Sequence, residues 1–235
     1  MAVSKENPRN LLTSLLLVFP LFLIYQIGVL FTLPMLNGAD FVTVLLFRAF
    51  GLSLRGYLVV LAAILVVFGG AVVALRQRQP FNPRVFLPVL LESTVWALTM
   101  GSLIVLVMTK LLGFSPRLAA GGEGQSLLTR LVMSLGAGVY EETVFRLGVL
   151  TVLALLFERV LGAPLWGAVL GAFIVSSALF SAVHHLPPQG DPFTLETFTF
   201  RFLAGMVFGA LHRWRGFAVA VYTHAFYDIF VLVVR

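Results

Sequence analysis

The chain has 235 residues, 60% hydrophobic and 11% charged, with a net charge of +6 and no cysteine. Soluble domains carry about 25% charged residues, so this composition, with its mean hydropathy of +1.01, excludes one and points to a polytopic membrane protein. The lack of cysteine excludes disulfides, thiolate catalysis and Cys-ligated metals.

In chain order, Lys5 and Arg9 precede an apolar run over 11–33. The run is too long for the apolar core of a signal peptide, and no small-residue cleavage site follows it. It reads as a retained first span. Residues 41–50 are shorter and precede Arg55, which suits an interfacial helix. The second span is expected over 57–75, before a basic loop with Pro80 and Pro83, and the third over 86–112. Glu92 lies near one end of the third and can reach the interface. A glycine-rich loop over 114–125 follows.

The stretch 127–157 exceeds a straight span, and Gly136 and Gly138 are expected to kink or split it. Residues 165–184 form the fifth span, before a Pro- and Gly-rich loop with Gly190 and Pro192. The sixth and seventh spans are read over 198–212 and 217–234. The expected fold is all-α: a polytopic transmembrane helical bundle of about seven spans plus an interfacial helix. It forms a single transmembrane domain over 1–235, with its chemistry in 127–230. Lys and Arg gather in the short loops, where they face headgroups, and favour a cytoplasmic N-terminus. No basic stretch is dense enough for nucleic acid.

Ionisable residues inside these apolar runs are the informative feature. A charge at the centre of a membrane helix costs about 2.5–3.5 kcal/mol on insertion scales, so such residues are functional by default. Four motifs stand out, Glu141-Glu142-x-x-x-Arg146, Phe180-x-x-x-His184, Phe202-x-x-Gly205-x-x-x-Gly209 and His224-x-x-x-Asp228, and the first, second and fourth hold the ionisable residues. Residues four apart share a helix face, so Glu142 and Arg146 are expected to neutralise each other. Glu141 is rotated by about 100° and stays free for chemistry. His224 and Asp228 share a face of the last helix. Gly205 and Gly209 form a small-x-x-x-small face that lets helices approach. His185 and His212 read as interfacial or core residues. Ser176, Ser177 and Ser181 lack the setting of a nucleophile. A carboxylate base acting on water, with a histidine polarising a carbonyl, is the chemistry these residues suit.

The order and spacing of these motifs resemble the CPBP family, the type II CAAX prenyl endopeptidases and their bacterial Abi relatives. The resemblance covers about 138–228. It implies a glutamate-dependent intramembrane endopeptidase in which Glu141 and His184 hold and activate water. His224 and Asp228 would stabilise the oxyanion, and Glu142, Arg146 and Phe180 would shape the site. No cofactor or metal is implied. The prenyl endopeptidases carry Asn at the position of Asp228. An ionised Asp only accepts hydrogen bonds, so Asp228 must act protonated or by orienting His224. The expected partners are a membrane-associated protein or peptide substrate and the bilayer; the expected location is the cell membrane, as a multi-pass protein.

Three alternatives stand beside this reading. Glu141, His184, His224 and Asp228 also make an N/O ligand set for zinc, as in a zinc-dependent membrane protease, although no His-Glu-x-x-His is present. A non-catalytic immunity or scaffold protein would have no need of the complete set. A proton-coupled transporter would show duplicated halves, and no repeat is evident.

Overall fold

The computed structural model describes residues 10–41, 43–44, 53–114, 124–186 and 190–234. No strand occurs among them. Helix α1 spans Leu11–Thr32, with the Asn10 side chain accepting from the Thr13 amide at its start. Helix α2 spans Leu54–Arg76 and is capped by Ser53. A single 3₁₀ turn, Pro83–Val85, leads into α3, Phe86–Lys110. Helix α4 is Leu127–Gly136. Helix α6 is Leu165–Val183; α7, Leu195–Trp214, opens on a Thr194/Thr197 capping box. Helix α8 is Phe217–Ile229, continued by a π-helical turn, Phe230–Val234.

The stretch after α4 departs from expectation. The α-helix ends at Gly136, one of the two glycines, but the chain stays helical beyond it and widens into π-turns over Ala137–Glu141 and Thr143–Leu150. A short α5, Thr151–Leu155, and a further π-turn, Leu156–Val160, complete it. Wide turns of this kind occur mostly at functional sites. Hydroxyls supplement the carbonyl hydrogen bonding there: Thr143 donates to Val139 O at 2.6 Å, Ser176 to Phe145 O at 2.9 Å and Thr151 to Arg146 O at 3.0 Å. Gly138 is needed for close approach, since a Cβ would stand 2.6 Å from the Val221 carbonyl oxygen on α8.

Among the described residues, four helices are long and apolar enough to cross a membrane: Leu11–Thr32, Leu54–Arg76, Pro83–Lys110 and Leu165–Val183. Phe217–Val233 is apolar but shorter. The helical stretch over 127–160 is broken into short α- and π-helical segments, and Leu195–Trp214 carries Glu196, Arg201, His212 and Arg213. A membrane helical bundle follows. Of the interfacial helix expected at 41–50, Phe41, Thr43 and Val44 are helical, and the remainder lies outside the described residues, as does most of the 114–125 loop.

Helix α8 is the centre of the bundle. Phe217 through Ala225 are all buried, so no face of that stretch reaches lipid and every side chain must find a protein partner. Ser93 of α3 donates to Val219 O at 3.2 Å, and Tyr222 donates to Leu17 O of α1 at 2.8 Å. Helix α7 turns directly into α8 through Gly216, whose φ of 108° suits glycine. The turn is tied to α3 by Arg215, which grips Glu92 with two bonds of 2.6 and 2.8 Å. The small face of α7 packs as expected: Gly205 lies against Ser177 and Gly209 against the Phe173 ring, both on α6. Helix α2 is peripheral, burying only Tyr57 and Val60.

Candidate active site

The widened turns place Glu141 and Glu142 beside α8, and the central position of α8 forces His224 inward to meet them. Helix α6 ends at His184, which caps it. Its Nδ1 lies 2.7 Å from Phe180 O. A carbonyl can only accept, so Nδ1 carries the proton and Nε2 is directed elsewhere. It points at Glu141: Nε2 lies 3.4 Å from Oε2. The Nε2 of His224 lies 3.9 Å from the same oxygen. Three helices therefore converge on one carboxylate oxygen, which is buried and has no hydrogen-bond partner among the described residues.

Beneath this cluster sits a fully buried support. Glu142 and Arg146 pair at 3.0 Å, as their spacing predicts. The other Glu142 oxygen accepts from His224 Nδ1 at 2.8 Å, a contact between α8 and the motif helix that their spacing does not reveal. Arg146 also donates to Gly205 O at 3.2 Å. Its guanidinium lies 4.6 Å from the Phe180 ring centre and 5.4 Å from that of Phe208. Side-chain exposure separates the layers. Glu142 and Arg146 are 0% and 1% exposed, whereas His184 and Asp228 are 26% and 24%. His184 and Asp228 are thus nearer the surface than the Glu142–Arg146 pair.

Phe180 is at the centre of the packing. Its ring meets His184 at 4.8 Å, Phe145 at 5.3 Å and His224 at 5.9 Å. Phe208 stacks on His224 with centroids 4.3 Å apart and planes at 14°. The motif reading passes over this residue, although it lies three positions beyond Gly205 on the same helix face. Asp228 stands one turn beyond His224, its Oδ2 3.7 Å from Nε2. That exceeds a hydrogen bond, so the two share a face without being joined.

A second omission lies in the first half of the chain, where the sequence shows only hydrophobicity. Asn37, after α1, donates from Nδ2 to Glu141 Oε1 at 3.1 Å.

The remaining predicted residues fall outside the cluster. His185 binds Asp191 O at 3.1 Å, and His212 packs edge-on against Phe217. Ser181 donates to Phe198 O. Asp191 pairs with Arg201, and its amide donates to His184 O at 2.9 Å, tying the following loop to the cap of α6. Among the described residues, no set of three His, Asp or Glu is arranged to hold a metal ion.

Glu141, His184, His224 and Asp228 thus lie close together, next to the buried Glu142–Arg146 pair. Comparison with family models matches residues 123–230 to the Rce1-like type II CAAX prenyl endopeptidases. That region of the chain belongs to the CAAX prenyl endopeptidase family. The match spans Glu141 through Asp228, so every predicted site residue lies within the CAAX endopeptidase region, while Asn37 lies outside it. No curated protein and no solved structure matches the chain. The family is one of intramembrane proteases, and the protein is an integral membrane protein.

Proposed function

We propose that this protein hydrolyses a peptide bond of a membrane-associated protein or peptide in the cell membrane, using water activated by Glu141 and His184. The observation that carries the proposal is the Glu141 Oε2 atom facing the Nε2 atoms of both histidines, at 3.4 and 3.9 Å.

The steps follow from the donors and acceptors. Water bound between Glu141 Oε2 and His184 Nε2 would donate a hydrogen to each, since both are acceptors when His184 is neutral. Glu141 takes a proton as the water oxygen attacks the scissile carbonyl carbon. The carbonyl π pair moves to oxygen. The resulting oxyanion needs donors. His224, held by Glu142 through Nδ1, supplies one from Nε2 as an imidazolium, with its charge compensated by the surrounding carboxylates. Asp228, when protonated, supplies a second. Glu141 then passes its proton to the leaving nitrogen as the C–N bond breaks. No covalent enzyme intermediate forms. The hydroxyls of Ser176 and Ser181 are engaged with backbone carbonyls, which is consistent with this choice.

The test is comparative peptidomics of membranes containing wild type or Glu141→Gln. A set of peptides dependent on Glu141 supports the proposal, and identical peptide sets overturn it. Metal content and chelator sensitivity of the purified protein separate this mechanism from the zinc alternative. The expected outcome is unchanged hydrolysis after chelation; loss restored by added zinc overturns the metal-free mechanism.

A further inference from the structure

The segment between α1 and Phe41 lies outside the CAAX endopeptidase match, yet it reaches the centre of the site. Asn37 is 9% exposed. Its Nδ2 donates to Glu141 Oε1 at 3.1 Å, leaving Oε2 toward the histidines. The other end of the same amide is occupied, since Oδ1 accepts from the Ala39 amide at 2.9 Å. That bond assigns the amide orientation: oxygen to the turn, nitrogen to the carboxylate. The Asn37 backbone amide donates to Tyr25 OH at 3.1 Å, and Tyr25 OH donates to Asp40 Oδ2 at 3.2 Å. Asp40 in turn accepts from the Thr43 amide. Tyr25 and Asp40 are fully buried, and the Tyr25 ring packs against Tyr140, next to Glu141 in sequence, at 5.3 Å. Asn37 is thus held by three directional bonds, two from its side chain and one from its backbone amide.

We propose that Asn37 is a positioning residue for hydrolysis: its carboxamide fixes the Glu141 carboxylate so that Oε2, and not Oε1, meets the water. The proposal rests on Glu141 being the base. A carboxylate with two equivalent oxygens and a free torsion would present either one in several directions. A hydrogen bond to one oxygen removes that freedom, as second-shell partners do for metal ligands, where losing one costs about 10–100-fold. A turn-forming role alone would need only Oδ1, and Asp supplies that equally well. Asn37→Asp therefore separates the two roles. It keeps the acceptor for Ala39 and replaces the donor with a second carboxylate facing Glu141.

The experiment uses the full chain in membranes, with the Glu141-dependent peptides from the comparison above as the readout. Wild type, Glu141→Gln, Asn37→Asp and Asn37→Ser are compared per folded molecule, with melting temperature measured in detergent. Asn37→Asp should lower the melting temperature, because it faces a second buried carboxylate at Glu141, and per folded molecule should lower kcat by roughly 10–100-fold with KM little changed. Its deficit should narrow toward acid pH, where one proton shared between the facing carboxyls restores a donor. A merely structural role gives the wild-type pH profile. Should Asn37→Asp not accumulate, Asn37→Ser keeps a hydroxyl for the turn and is too short to reach Glu141, so the same kcat loss is expected. Wild-type kcat in either folded variant, with Glu141→Gln inactive, overturns this inference and leaves the proposed function standing. No Glu141-dependent peptide at all overturns both.

Discussion

Glu142 bonds His224 Nδ1 at 2.8 Å with one oxygen and Arg146 Nε at 3.0 Å with the other. One buried carboxylate thereby joins the motif helix to the central helix and fixes the ring that faces Glu141. The adjacent glutamates differ in their partners: Glu142 pairs with Arg146 and His224 Nδ1, and Glu141 Oε2 faces the two histidine Nε2 atoms.

This division predicts different outcomes for two conservative changes. Glu142→Gln leaves Arg146 without its buried counterion and weakens the hold on His224. Breaking a buried pair costs about 3–5 kcal/mol, so melting temperature, yield and activity should all fall. Glu141→Gln removes no buried ion-pair partner of Arg146 and should melt near wild type. Thermal melts of the two purified variants in one detergent check this, and equal destabilisation contradicts it.

Gly138 sets the distance between the widened helix and α8. A Cβ there meets the Val221 carbonyl oxygen at 2.6 Å and Ala225 Cβ at 2.8 Å. Both are backbone or rigid atoms, so Gly138→Ala must push the helices apart and separate Glu142 from His224. Melting temperature and activity should fall together. Gly148 is the control: its Cβ would meet nothing closer than 3.6 Å, and Gly148→Ala should be neutral or stabilise by about 0.5–1 kcal/mol. Melts of the pair distinguish steric contact from a general intolerance of alanine in this helix.

Asp228 is where the family pattern and this chain differ. Its Oδ2 is 3.7 Å from His224 Nε2, too far for a direct bond and suited to a group facing the same substrate atom. If it donates to the oxyanion as a neutral acid, Asp228→Asn keeps a donor there. Most activity should survive, extending to more alkaline pH. A loss of activity at every pH would instead mark Asp228 as an anionic partner of His224 or a metal ligand. A pH–rate profile of this variant decides.

The parts of this arrangement that follow a helix were legible in the sequence. The Glu142–Arg146 pair, the shared face of His224 and Asp228, and the packing of Gly205 and Gly209 all follow from residues four apart. The π-turns were not legible, because length and glycine content announce an irregularity without its form. Phe208 was hidden among other apolar residues, since stacking on His224 depends on how α7 crosses α8. Asn37 was the least accessible. Its contact spans 104 positions, and a single polar residue in a short loop has no periodicity to mark it. The span count is less firmly written for a physical reason. The stretch that carries Glu141 and Glu142 is divided into short α- and π-helical segments and the apolar helix of His224 is short, so neither has the unbroken length by which spans are recognised.

The central claim is that Glu141 and His184 act as a unit on one water. A double-mutant cycle on the purified protein tests it most directly, using Glu141→Gln, His184→Gln and the double variant on one Glu141-dependent peptide. Each single change should lower kcat by roughly two or more orders of magnitude, and the double variant should be scarcely slower than either, because groups acting as a unit are not additive. Losses that multiply in the double variant, or a single variant with near wild-type kcat, would contradict it.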